Sequence, residues 1–392
     1  MFEGKYKVKT LNHISPACHE VLTEERYTMS DEMEAPDAIF VRATNMLDYE
    51  FNPELKCIAR AGIGVNTIPV DRCTENGIVV FNSPGANANG VKELFVFALS
   101  MASRDILGGM NWVYGYQNDE VPVDVAMEQV KKQFAGPEYY GKRLGVIGMG
   151  NVGSLVANIA LDLGMKVCGY DPYLSVDAAW KVSRNVERVS DLDSLLRNCD
   201  YITIHTPLTA ETRDMINADN IAKMKDGVRI INYARGEVVN EDAILAALES
   251  GKVARFVTDF PTPRNVKVKN VVATPHLGGT TIESEANCAL MAAREMDDYL
   301  RNGNIKNSVN LPTVVLERSG RARICVIHRN IPGMLTTIMP LFAKDEVNIE
   351  NMTNKSSGAY AYSVFDVNSD IPQAVGEELR KVPGVLRVRV LD

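Results

Sequence analysis

No stretch of this chain approaches the roughly eighteen consecutive apolar residues that a membrane-crossing helix needs, so no membrane partner is expected. Basic charge is in deficit: 42 Lys and Arg against 50 Asp and Glu leave a formal charge of −8, with no long basic run. That balance argues against nucleic acid as a partner. There is no CxxC, and the seven cysteines are scattered and odd in number, which excludes a disulfide framework and favours reduced thiols. Histidine is scarce at five, and no His/Cys cluster has metal-ligand spacing, so no metal centre is expected. The opening MFEGKYKVKT mixes charges and has no apolar signal core, which sets the expectation of a cytoplasmic protein. What remains is an ordinary globular composition, long enough at 392 residues for two or three domains.

The most informative stretch runs from Arg143 to Asp171. A short apolar run, Leu144 to Ile147, suits a buried strand. Gly148, Met149, Gly150, Asn151, Val152 and Gly153 follow, then a helix-like segment from Ser154 to Leu163 and a second strand, Met165 to Tyr170, ending in Asp171. A bare glycine triplet is often only a turn, but this order of elements is the dinucleotide fingerprint. Gly148 allows the tight turn, Gly150 lets a pyrophosphate approach, and Gly153 lets the helix pack closely. The helix N-terminus offers unpaired N–H groups to the phosphates. Asp171 can accept hydrogen bonds from a ribose and repels a 2′-phosphate, so the cofactor expected is NAD. A P-loop would need a Gly-Lys-Ser/Thr ending, which is missing.

The rest of the chain alternates in the manner of a parallel α/β protein. Strands are expected at Tyr6–Leu11, Ala38–Val41, Lys56–Ala61 and Ile78–Phe81. A buried helix follows from Val91 to Met110, and a polar segment at 114–140. Beyond Asp171 come strands at Tyr201–His205, Val228–Tyr233, Ala254–Thr258 and Val271–Ala273, helices at Glu241–Glu249 and Ile282–Leu300, and a mostly polar linker-like stretch at 303–320. Residues from Arg323 to Leu391 read as βαββαβ, a ferredoxin-like unit of about 70 residues. The strand ends carry the chemistry. Arg60 and Gly62, the Asn82–Gly90 loop with Asn87, Thr206 and Pro207, Ala234 and Arg235, Asp259, and His276 with Gly278 and Gly279 all follow predicted strands, where open α/β sheets place ligands. Arg235 can grip a carboxylate bidentately, though a surface arginine in a turn fits equally well. His276 can exchange a proton while a nicotinamide exchanges hydride, although a lone histidine is more often structural.

Together these motifs resemble the D-isomer-specific 2-hydroxyacid dehydrogenases over nearly the whole chain. The resemblance implies a Rossmann-type nucleotide-binding domain at 96–284, inserted in a flavodoxin-like substrate domain made from 1–95 and 285–310. A linker at 311–320 and an ACT domain at 321–392 would complete the chain. It implies that Arg60, Gly62 and Asn87 hold a small 2-hydroxyacid, that Arg235 binds its carboxylate, and that His276 is the acid/base. The remaining cofactor contacts would be Asn151, Val152, Thr206, Pro207, Ala234, Asp259, Gly278 and Gly279, and the assembly would be a homodimer or homotetramer. Within the family the likeness is nearest to members that oxidise 3-phosphoglycerate to 3-phosphohydroxypyruvate at the entry to serine synthesis. The tail agrees, because His328, Asn330 and Asn348 sit in motifs that look like a serine-binding ACT site. Another 2-hydroxyacid, or a non-catalytic NAD-binding sensor, are the alternatives.

One departure stands out. The family places a glutamate five residues after the aspartate matching Asp259, paired with the histidine; here that position is Arg264, and no Asp or Glu occurs from Phe260 to Ile282. Arg264, Lys267 and Lys269 would disfavour a charged His276 if any lay close. Alternatively, Arg264 would meet the substrate's phosphate.

Overall fold

The computed structural model describes all residues except 1–3, 119, 370, 371 and 392. Contacts divide the chain into two compact units, Met1–Ala86 with Glu285–Asp392, and Asn87–Ser284. The first unit opens with β1 (Tyr6–Leu11), β2 (Tyr27–Ser30), β3 (Ala38–Val41), β4 (Cys57–Arg60), α1 (Val70–Glu75) and β5 (Val79–Phe81). They form a parallel sheet in the order β2-β1-β3-β4-β5. Every residue of β3 is buried, as a central parallel strand covered on both faces requires, and so is every residue of β5 at the edge beside β4. Strand β2 was not expected, because Tyr-Thr-Met-Ser carries no apolar run; it lies at the sheet edge and pairs with β1 alone.

The second unit begins with α2 (Ala88–Ser103), α3 (Ile106–Tyr114) and α4 (Val123–Val130). The single helix expected over 91–110 is two helices. Arg104 is extended, and Asp105 restarts the helix by accepting a hydrogen bond from the Gly108 amide at 3.3 Å. The polar segment 114–140 contains α4 and is not plain loop. The boundary expected at 95/96 falls inside α2, a continuous hydrogen-bonded helix, and the unit instead begins at Asn87. The chain then alternates through β6 (Arg143–Ile147), α5 (Asn151–Asp162), β7 (Lys166–Tyr170), α6 (Val176–Ala179), β8 (Glu187–Arg188), α7 (Leu192–Asn198) and β9 (Tyr201–Ile204). It continues with α8 (Ala218–Lys223), β10 (Val228–Asn232), α9 (Glu241–Glu249), β11 (Val253–Thr258) and β12 (Val271–Ala273). All seven strands are parallel, in the order β12-β11-β10-β9-β6-β7-β8, a doubly wound Rossmann-type sheet.

Helix α10 (Ile282–Asn302) returns the chain to the first unit. Then come β13 (Ala322–Arg329), α11 (Met334–Lys344), β14 (Asn348–Ser357), β15 (Tyr360–Asn368), α12 (Pro372–Arg380) and β16 (Val385–Leu391), the expected βαββαβ order. Their antiparallel sheet, ordered β14-β15-β13-β16, buries apolar residues of β13 and β15 on both faces, while β14 is exposed. One face packs under α11 and α12 through Ile324, Val326, Ile338, Phe342 and Phe365. The other places Cys325, Ile327, Tyr362 and Val364 in one core with Cys57, Phe81, Met296 and Tyr299. Arg389 joins them: its guanidinium lies 4.4 Å from the Tyr299 ring and donates to the carbonyls of Tyr299 and Leu300 near the C-terminus of α10. The 303–320 segment is correspondingly not a free linker. Ile305 and Val314 exchange backbone hydrogen bonds, and Leu311 and Val314 are buried.

Candidate active site

Register alone assembles a site in the second unit. Ile147 pairs with Ile204 and Tyr170, Ile204 with Asn232, Asn232 with Thr258, and Thr258 with Ala273. The residues that follow these partners therefore emerge at one level on the C-terminal rim: Gly148, Asp171, His205, Tyr233, Asp259 and Thr274. Sequence order scatters them over more than a hundred positions; the parallel ladder makes them neighbours.

The glycine turn has the shape a dinucleotide requires. Gly148 is left-handed, with φ +87°, and a Cβ there would stand 2.8 Å from the carbonyl of His205. A Cβ on Gly153 would collide with the Gly148 carbonyl oxygen. Gly150, by contrast, faces open space, with nothing within 4 Å of where its Cβ would be. Helix α5 begins at Asn151, three residues earlier than its apolar pattern suggests, so Asn151 and Val152 belong to its first turn. Asp171 orients the loop as well as facing it: Oδ2 accepts from the Met149 amide at 2.8 Å and Oδ1 from the Tyr173 amide at 2.9 Å. A cavity of about 470 Å³ beside it is lined by Met149, Asp171, Pro172, Leu174 and Val176. The Thr206 hydroxyl, next along the rim, is buried without a hydrogen-bond partner, and Pro207 follows it. An open glycine, an acid at the strand end, an apolar cavity and an orphaned hydroxyl fit NAD.

Asn232, which the sequence reading passed over, shapes the next loop. Wholly buried, it accepts from the Ala234 amide at 3.1 Å and donates to the Arg235 carbonyl at 2.8 Å. The strand end is thus folded back, and Arg235 projects half-buried with Nη1 on the Ala234 carbonyl. An apolar strand ending in Asn was the available signal. Asp259 does similar work for the His276 loop. Buried to 1% exposure, it accepts from the Thr274 hydroxyl at 2.6 Å, the Leu277 amide at 2.8 Å and the Gly278 amide at 2.6 Å. Its carboxylate is a brace for the loop, beyond the cofactor contact expected of it. His276 is held left-handed at φ +54° and exposed, with its ring edge-on to Phe260 at 5.1 Å. Gly279 packs against the Asn87 amide, whose Oδ1 is buried without a partner.

Arg264 does not belong to this constellation. Its guanidinium pairs with Glu241 at 3.4 Å and Asp242 at 2.7 Å on the first turn of α9, where those acids also favour the helix N-terminus. The expectations that it either opposes the His276 charge or meets a phosphate both lose their premise. Among the described residues no carboxylate pairs with His276; Phe260 occupies the ring's flank.

Arg60 and Gly62 lie in the first unit, at the end of β4. Burial lowers the Arg60 guanidinium pKa, and its Nε is buried without a partner. The three effector candidates do not come together in one chain. His328 is only 2% exposed, with Nδ1 at 2.9 Å from the Arg329 carbonyl and Nε2 at 2.9 Å from Ser363. Asn330 is exposed beside it, donating to the Gly358 carbonyl at 3.1 Å. Asn348 pairs with Asn368, whereas His328 pairs with Ala361, so the two ends of β15, roughly 24 Å apart at about 3.4 Å per residue, separate them.

Comparison with known proteins agrees with this geometry. The D-isomer specific 2-hydroxyacid dehydrogenase NAD binding domain matches residues 102–278, and an AHAS small subunit-like ACT domain matches 324–387. The D-3-phosphoglycerate dehydrogenase of Haemophilus influenzae is 32% identical over 87% of this chain and 82% of its own. That of Bacillus subtilis is 33% identical over 84% of this chain, which spans only 61% of the relative's length. The NAD+-bound 3-phosphoglycerate dehydrogenase of Entamoeba histolytica superposes with a TM-score of 0.58, at 25% identity, over 78% of this chain and 99% of that one. The chain belongs to the D-isomer specific 2-hydroxyacid dehydrogenase family.

Proposed function

We propose that this chain oxidises D-3-phosphoglycerate to 3-phosphohydroxypyruvate with NAD, the first step of serine synthesis. The observation that carries the reading is the common rim: the dinucleotide turn, Arg235 and His276 follow β6, β10 and β12, three strands of one parallel sheet that run the same way. NAD, when bound, supplies the hydride acceptor. Arg235 grips the substrate carboxylate, with Arg60, Gly62 and Asn87 as further substrate contacts. The orphaned polar atoms of Arg60 and Asn87 support that assignment. Gly148, Gly150, Asn151, Val152, Gly153, Asp171, Thr206, Pro207, Ala234, Asp259, Gly278 and Gly279 are assigned to the cofactor. His276 takes the hydroxyl proton, and its missing carboxylate partner leaves orientation to the strained backbone and Phe260. The same absence is the one observation favouring a non-catalytic NAD sensor.

Activity decides between the readings. NADH oxidation should be fastest with 3-phosphohydroxypyruvate, slower with hydroxypyruvate, glyoxylate or 2-oxoglutarate, and lost in His276→Asn. NADH binding without turnover of any of the four would establish the sensor. Another preferred ketoacid would reassign the substrate.

Two partner assignments accompany this reading. The α3–α4 segment exposes Leu107, Met110, Val113, Tyr114, Val125 and Met127, at 41 to 81% exposure, an apolar face that a second copy would cover. Sedimentation giving single-chain mass at micromolar concentration would reject a homodimer. L-serine is the effector proposed for the ACT domain, with Asn330 as a direct contact and His328 as a brace behind it; Asn348 would have to come from a second copy. Activity and melting temperature unmoved by millimolar serine would reject it.

A further inference from the structure

Cys168 and Cys199 meet in the second unit with their Sγ atoms 3.4 Å apart, both fully buried. They do not come from neighbouring strands. Cys168 is on β7, Cys199 closes α7 just before β9, and β6 runs between them. Gly145 makes the meeting possible. It lies on β6 opposite Cys168, and a Cβ there would stand 2.9 Å from the Cys199 Sγ and 2.5 Å from the Leu195 Cδ2. Any larger residue would fill the space the two sulfurs share.

The chemical setting separates this pair from the other five thiols. Cys18, Cys57, Cys73, Cys288 and Cys325 are all buried, and burial pushes their thiols up, those of Cys57 and Cys73 to about 12. Cys168 goes the other way. The S–H of Cys199 pulls it below the ordinary thiol value against the cost of burial, and the Arg143 guanidinium adds to the effect. Arg143 is 28% exposed and hydrogen-bonds Glu187 at 2.6 Å, which is 57% exposed, so the cation beside the buried pair reaches the protein surface. A thiolate beside a cation and a second thiol has the makings of a redox couple.

We propose that Cys168 and Cys199 are a reversible dithiol–disulfide pair, oxidised by hydrogen peroxide. The Cys168 thiolate attacks one peroxide oxygen, the O–O bond breaks, and hydroxide leaves with the proton the thiol had released, as water. The sulfenic acid on Cys168 is then attacked by the Cys199 sulfur. The S–S bond forms, the S–O bond breaks, and the Cys199 proton leaves with that oxygen as a second water. Two thiols lose two electrons and the peroxide gains them. The bond ties β7, which leads into Asp171, to the end of α7 just before β9.

The native full-length chain is treated with excess hydrogen peroxide, quenched, alkylated and mapped by mass spectrometry without reduction. The expected product is one linked peptide pair containing Cys168 and Cys199, two hydrogens lighter than the free peptides and restored by dithiothreitol. In Cys199→Ser, dimedone should label Cys168 alone. Should that variant fail to fold, the native map still decides. Both cysteines alkylated as free thiols after peroxide treatment, or either found linked elsewhere, would overturn the proposal.

Discussion

Asp171 is the residue proposed to set cofactor choice. Its carboxylate already accepts two backbone amides, so it is held at the end of β7 before any ligand arrives. A 2′-phosphate brought there loses hydrogen bonds and meets a fixed charge, a penalty on the order of 2–4 kcal/mol. The ratio of kcat/KM for NAD over NADP should therefore be large, and Asp171→Ala should collapse it; equal values in the parent would reject the assignment. Glu295, on α10, shows the opposite fate for a carboxyl. Burial pushes it up to about 8, only partly opposed by Asn307, which donates to Oε1 at 2.6 Å, and by the Lys306 charge. Its Oε2 is buried without a partner. Between about pH 4.5 and 8 the unfolded chain has lost this proton while the folded chain keeps it, so stability falls as pH rises, by about 1.4 kcal/mol per unit. Glu295→Gln should then raise the melting temperature at pH 8 and do little at pH 4.5, and an equal shift at both would show that the acid titrates normally.

At the scale of the element, the turn from β6 into α5 divides its glycines by what surrounds them. Gly153 cannot carry a side chain without striking the Gly148 carbonyl, a backbone atom that has nowhere to go. Gly150 can, because nothing stands near it, and the open space is where the proposed pyrophosphate would lie. Gly150→Ala should fold with an unchanged melting temperature but bind NADH at least about tenfold more weakly, since a methyl group excludes the pyrophosphate from the backbone. Gly153→Ala should lose several degrees or fail to fold. Thermal melts with NADH titration by fluorescence separate the two, and a Gly150→Ala protein of parental affinity would place the phosphates elsewhere. Asp259 performs the comparable task on the far side of the rim, binding three donors of the loop that presents His276.

For the whole molecule, the decisive feature is that the ACT sheet is covered on both faces along β13 and β15. Its second face shares a core with β4, β5 and α10, and Arg323 anchors it with a buried ion pair to Asp366 at 2.6 Å and further bonds to the carbonyls of Asn302 and Leu316. Burial alone would raise the Asp366 carboxyl, yet the Arg323 guanidinium holds it below its ordinary value. A chain ending at residue 320 would expose Cys57, Phe81, Tyr299 and their neighbours to water. It should aggregate or melt well below the full chain, and a truncated protein as stable as its parent would show that the tail is an independent appendage.

Local pattern carried much of this protein. The glycine turn with its flanking strands, the helix Glu241–Glu249, the strand ends bearing Arg235 and His276, and the βαββαβ tail were legible because each depends on neighbours in sequence: periodicity, turn residues and caps. The Arg104–Asp105 break, strand β2, the placement of Arg264 on α9 and the separation of Asn348 from His328 were not. Each is decided by a partner far along the chain, Arg255 for Asp105 at 3.1 Å, β1 for β2, Glu241 and Asp242 for Arg264, and β15 for Asn348 and His328. The sequence by itself determined which residues are proposed to bind a dinucleotide and move a proton, because their strand-end motifs are local. Only the tertiary structure decided which of them share a rim, which charges are already spoken for, and that two distant thiols touch, because those facts follow from strand order and register, which no local window contains.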